Sequence, residues 1–120
     1  MQFTNLRPIL WTEKLDETIN FYCNVLQFTC EERNDNWGWA SLHREGVDIM
    51  LAKPNAHISF KQPNFTGSFY INTDNVDLLW ENLKNKARIV YEIENFEWNM
   101  REFAIYDNNG YILQFGQEIK

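Results

Sequence analysis

Cysteine is scarce in this chain: Cys23 and Cys30 are the only two in 120 residues. Cys23 falls on an expected helix and Cys30 on the strand after it, so both are expected to pack as small apolar side chains. Basic residues are also in short supply, with 11 Lys and Arg against 17 Asp and Glu, a net charge of −6 and a pI near 4.8. That balance argues against nucleic acid, whose phosphates demand a basic footprint, and suits cationic ligands. No apolar run approaches the length of a membrane span and no signal peptide precedes Phe3, so the cytoplasm is the expected compartment. Asn64-Phe65-Thr66 then carries no meaning as a glycosylation acceptor. There is no nucleophile elbow, P-loop or Cys-His signature.

What the chain has in quantity is rings. Aromatic residues make up 16%, with five Trp and nine Phe, more than one small core easily uses, so some should line a surface or cleft. The length predicts one domain, and a hydrophobic content of 44% is enough for a single core that would gain from a partner subunit.

The strongest local pattern is C-terminal. Two runs rich in aromatic and β-branched residues flank Asp107-Asn108-Asn109-Gly110, which predicts a hairpin with Gly110 supplying a positive φ. Taken from the N-terminus, Leu6 to Thr12 predicts a strand with Pro8 near its start, and Leu15, Ile19, Tyr22, Cys23 and Leu26 predict an amphipathic helix over 15–25. Strands follow at about Phe28 to Arg33, Trp37 to His43 and Val47 to Ala52, with turns at Asn34-Asp35-Asn36 and Arg44-Glu45-Gly46. Residues 53–66, with Pro54 and Pro63, predict a connecting loop. The pattern then restarts: strand Phe69 to Asn72, Asp74 as a helix N-cap, and Val76, Leu79, Trp80 and Leu83 as a helical stripe. Strands at about Arg88 to Ile93, Trp98 to Tyr106 and Tyr111 to Phe115 finish the chain. The order β-α-β-β-β repeats, with helix starts at Leu15 and Val76 spaced 61 positions apart. One helix covers one face of four strands in each half, so the other face needs cover from the second half, a dimer or a ligand.

These features resemble the vicinal oxygen chelate superfamily, built from paired βαβββ units and including glyoxalases and bleomycin-resistance proteins. The likeness is nearest to the bleomycin-resistance branch. Trp98, then Arg101-Glu102-Phe103-Ala104, Asp107, Gly110 and Phe115, is similar to that branch's Pro-Trp-Gly-Arg-Glu-Phe-Ala…Asp-Pro-x-Gly stretch. Asn99-Met100 in place of a single glycine and Asn108 in place of proline depart from it, while Pro8, Phe21-Tyr22 and Gly46-Val47 also fit. The resemblance implies an α+β fold: two βαβββ repeats (about 5–53 and 67–117, linker 54–66) forming a half-open curved mixed sheet in a single domain. It further implies a strand-swapped homodimer with two crevices, each fed by both subunits. Bleomycin-resistance members sequester a cationic, metal-chelating glycopeptide rather than catalyse.

The superfamily's enzymes hold a divalent metal at four strand positions, which the landmarks place here at Arg7, Met50, Ser68 and Gln114. A fixed cation, a thioether and a hydroxyl make a poor set, and only Gln114 offers an oxygen a metal would accept readily. A slip to Ile49 does not help; Asp48, two positions away on the same face, is the only nearby carboxylate able to. His43 ends a strand and His57 sits in the loop, and neither has a His or carboxylate partner at metal-site spacing, so both are expected to be ordinary surface histidines.

Strand alternation sorts the faces. Phe69, Ile71, Leu113 and Phe115 are expected to face the core, and Arg7, Ile9, Trp11, Ser68, Tyr70, Asn72, Ile112 and Gln114 the concave side. Trp37 and Trp39 are assigned to the crevice by the same parity, with core or interface packing as the alternative; Trp80 belongs to the core. Glu102 and Tyr106 share a face, and Glu102 is the group expected to meet a cation unless it pairs with Arg101 or Arg7. The expected function is therefore a metal-free, cofactor-free, dimeric protein binding a planar, cationic small molecule. Its candidate site residues are Arg7, Trp37, Trp39, Met50, Phe60, Tyr70, Trp98, Glu102, Tyr106 and Gln114. The alternatives are a superfamily lyase, isomerase or dioxygenase with atypical ligands, or a module whose crevice is vestigial.

Overall fold

In the computed structural model, residues 1–120 are described except Ala56 and Ile58, which lie within the expected loop 53–66. The chain runs β1 (Ile9–Trp11), α1 (Leu15–Asn20), β2 (Thr29–Asn34), β3 (Trp39–Arg44), β4 (Val47–Ala52), β5 (Phe69–Asn72), α2 (Val76–Leu83), β6 (Arg88–Phe96), β7 (Met100–Tyr106) and β8 (Ile112–Glu118). It divides into two compact units, Met1–Lys61 and Gln62–Lys120, each a βαβββ motif. Each unit holds a four-stranded mixed sheet, ordered β1-β4-β3-β2 in the first and β5-β8-β7-β6 in the second. In both, the strand before the helix pairs parallel to the last strand and the other pairings are antiparallel. Among the described residues no helix is long and apolar enough to cross a membrane.

Alternation builds the first core. Leu10, Leu42, Ile49 and Leu51 are buried from the sheet, with Tyr22 and Leu26 buried from the helical segment. That segment departs from the expected helix over 15–25. It is α-helical only to Asn20 and continues as a wider π-helical turn over Phe21–Val25, closed by Leu26 N–H donating to the Phe21 carbonyl at 3.3 Å. The first strand is three residues long, shorter than Leu6 to Thr12, and β3 starts at Trp39 because Asp35–Gly38 form a turn.

The second unit repeats the scheme with Leu83, Phe103, Ile105 and Leu113 fully or almost fully buried. The α2 helix is capped by Asn75, not Asp74: the Asn75 side chain accepts from the Leu78 N–H at 3.2 Å, and its extended backbone suits the capping position. Trp80 lies 5.1 Å from Phe103, and Phe103 stacks on Phe115 at 5.3 Å, which locks helix to sheet. The C-terminal hairpin forms as its turn residues predict. The Asp107 carboxylate accepts from the backbone N–H groups of Asn109, Gly110 and Tyr111 at 2.8–3.0 Å, and Gly110 takes φ +102°. Trp98 belongs to the turn before β7 rather than to the strand itself.

Candidate functional site

On the sheet face away from α2, β7 presents Glu102, Ala104 and Tyr106, and β8 presents Ile112, Gln114 and Gly116 opposite them. Glu102 is 1% exposed yet carries a carboxylate. Its Oε1 accepts from the Tyr70 hydroxyl and the Trp98 indole N–H, each at 2.9 Å. Its Oε2 accepts from the Tyr91 hydroxyl and, at 3.3 Å, from Gln114 Nε2. Gln114 Nε2 also donates to Tyr91 at 2.7 Å, and Ser68, just before β5, donates to Gln114 Oε1, so four side chains from three strands and one turn converge on one acid, with Ser68 behind them.

Burial pushes the Glu102 carboxyl upward, but the hydrogen bonds from Tyr91, Trp98, Tyr70 and Gln114 outweigh it and leave the group below its ordinary value, hence ionised. The phenols move the other way. Burial and then the hydrogen bond each donates to Glu102 raise Tyr70, and raise Tyr91 to about 12, so both stay protonated donors. All four donors to Glu102 are neutral, so the site keeps a net charge of about −1. Of the two arginines named as ion-pair partners, Arg101 is held instead by Asp77 at 2.8 Å, and Arg7, in the first unit, donates to Ser41 at 2.8 Å.

Two features keep the cluster accessible. Trp98 stacks on Phe96 with centroids 4.7 Å apart and remains 56% exposed, its N–H tied to Glu102 and its ring offered to solvent. Tyr70, 40% exposed, reaches Glu102 by crossing Gly116, the residue opposite Glu102. A Cβ on Gly116 would stand 1.8 Å from the Tyr70 hydroxyl oxygen. Gly116→Ala is therefore expected to swing Tyr70 off Glu102, at a stability cost of about 1–3 kcal/mol because the buried carboxylate loses one of its four donors. A spectrophotometric tyrosine titration checks this: one phenol should return toward its ordinary range, and an unchanged profile would contradict the placement.

The other expected site residues are described within their own units. In the first unit, Arg7 with Ser41 and Met50 lie on the face away from the core, Ser41 and Met50 being cross-strand partners, and Trp39 shares that face opposite Ala52. Trp37 does not join them: it sits in the Asp35–Gly38 turn, 73% exposed, where strand parity no longer applies. Phe60 packs edge-on against Trp11 at 5.9 Å. Tyr106 shares the Glu102 face, but Arg88 covers its ring at 4.5 Å. The four positions that the resemblance gives for a metal would not suit a divalent ion, since Arg7 brings a positive charge, Met50 a soft sulfur, and Ser68 and Gln114 are bonded to each other.

Two sets of residues escaped sequence reasoning. Tyr91 lies where β6 shifts register on both sides, between Ile89 and Tyr91 and between Tyr91 and Glu94, so alternation could not place it. His43 is not an ordinary surface histidine. Its Nδ1 is 2.6 Å from Asp48 Oδ1 and 3.8 Å from Glu31 Oε1, and the bond to Asp48 raises its pKa. Both partners come across the sheet, where sequence spacing carries no signal.

Comparison with known proteins agrees with this fold. No curated protein matches the chain at a significant level. The chain is similar to a glyoxalase/bleomycin resistance protein/dioxygenase from Nocardioides, with TM-score 0.82, 17% identity, and coverage of 100% of this chain and 86% of that one. It is also similar to a superfamily member from Sphaerobacter thermophilus, with TM-score 0.81, 16% identity, and coverage of 97% and 98%. A protein of unknown function from Agrobacterium tumefaciens gives TM-score 0.80 at 16% identity, covering 99% and 98%. At such identities these likenesses speak to the fold alone. The family model of the Glyoxalase/Bleomycin resistance protein/Dioxygenase superfamily matches residues 5–115, and with the twice-repeated βαβββ motif this places the chain in that superfamily.

Proposed function

We propose that this protein is a non-catalytic binding protein that takes a planar, cationic small molecule on the Glu102 face of its second unit. The observation that carries the reading is the buried, ionised Glu102, satisfied by four neutral donors and left with its charge uncompensated among the described residues. A cationic ring laid on Trp98 gains a cation–π contact on the order of 1–2 kcal/mol and the field of that carboxylate, on the order of 3 kcal/mol before desolvation. Tyr70, Ser68 and Gln114 offer polar edges to the same ligand. The donor set at positions 7, 50, 68 and 114 argues against metal-dependent chemistry there, which favours binding over the lyase, isomerase or dioxygenase alternative.

The reading extends to a homodimer acting in the cytoplasm, with units 5–53 and 67–117 serving as one domain and the open sheet faces covered by assembly and by ligand. It also extends to antibiotic sequestration, on the likeness of the Trp98–Gly110 stretch to the bleomycin-resistance branch. The test is a tryptophan-fluorescence titration with metal-free and copper-loaded bleomycin and a panel of planar aromatic cations, at low and high salt. Saturable quenching that weakens with salt is expected. A flat response to bleomycin would remove the antibiotic, and a flat response to every cation would remove the function.

A further inference from the structure

The first unit carries a second cluster that the Glu102 reading does not use. His43 on β3 and Asp48 on β4 are direct cross-strand partners. Glu31 comes from β2 at a register shift: Cys30 pairs with Leu42 and Glu32 with Ser41, so Glu31 is the extra residue of a bulge. A bulge re-aims the side chain it carries, and here it turns Glu31 toward His43 instead of pairing it along the ladder. One donor atom from each of the three side chains lies within 4.8 Å of the others. Tetrahedral zinc with ligands near 2.1 Å sets its donors about 3.4 Å apart. Small rotations close that gap, and the 55% exposed Glu31 side chain is free to make them. Neither carboxylate is ion-paired to a lysine or arginine among the described residues, so the negative charge is available to a cation.

We propose that Glu31, His43 and Asp48 form a binding site for a borderline divalent cation of the zinc class. One imidazole and two carboxylates select against calcium and magnesium, which prefer all-oxygen sets, and three protein ligands leave at least one position for water or an exchangeable ligand. The site is distinct from positions 7, 50, 68 and 114, and it stands or falls independently of the Glu102 reading.

Isothermal titration of the full chain with Zn²⁺, in a non-chelating buffer, tests it alongside histidine NMR. The expected result is one ion per chain and a shifted His43 ring resonance. His43→Gln and Asp48→Asn should each weaken binding tenfold or more, while His57→Gln leaves it unchanged. Mg²⁺ should not displace Zn²⁺. No binding at 100-fold excess, an unmoved His43 resonance, or loss of binding in His57→Gln alone would each overturn the proposal. Because the ring resonance is read on the unaltered protein, a variant that failed to fold would not shield the proposal from that outcome.

Discussion

Glu102→Gln is expected to weaken binding of a planar cation by about tenfold or more while leaving the fold intact. A cation over Trp98, about 6 Å from the carboxylate, gains on the order of 3 kcal/mol at an effective dielectric near 20, and desolvation removes part of that. The remaining ~1.4 kcal/mol is a factor of ten. The amide keeps one oxygen for Tyr70 and for Trp98, whose indole can only donate. Its NH₂ group then meets the Tyr91 hydroxyl, which can turn to accept, and Gln114 Nε2, which cannot. One lost bond and one poor contact set a stability cost of about 1–2 kcal/mol. The pH dependence has a definite sign. A carboxyl held below its unfolded value contributes stability above that value, here 4.5, and loses it as pH falls through the folded value. Urea denaturation across pH 3–7 should therefore show wild type and Glu102→Gln converging in acid.

The largest loss of stability is expected at Phe103. Its side chain is fully buried between Trp80 at 5.1 Å and Phe115 at 5.3 Å, and it is the cross-strand partner of Phe115. Phe103→Ala opens a cavity where α2 meets the second sheet and should cost about 3–5 kcal/mol. That is about a fifth to all of the roughly 5–15 kcal/mol that stabilises a typical domain. Urea midpoints, compared at unchanged slope, measure it; a shift worth under about 1 kcal/mol would contradict this core.

Much of the architecture was legible because alternation and turn chemistry act locally. Leu113 and Phe115 inward with Gln114 outward, Tyr70 on the face away from the core, Glu102 sharing a face with Tyr106, and the Asp107–Gly110 turn all followed from period and residue type. Legibility ended where the backbone left its period. The π-helical turn over Phe21–Val25 shortened α1, the turn before β3 carried Trp37 off the strand face, and the irregular β6 hid Tyr91. The bulge at Glu31 likewise concealed a partner of His43. Glu102 could be singled out as an acid among rings, but not its burial, because its four donors come from strands and turns that meet only in three dimensions.

The central claim is that an ionised, ring-framed Glu102 recognises positive charge on a planar ligand. A matched pair isolates that charge: N-methylquinolinium and uncharged quinoline, titrated at pH 7.5 against wild type and Glu102→Gln by tryptophan fluorescence. The account predicts that wild type prefers the cation by about tenfold or more and that Glu102→Gln removes the preference while quinoline binding stays the same. Equal affinity of wild type for the two ligands, or a preference that survives in Glu102→Gln, would contradict it.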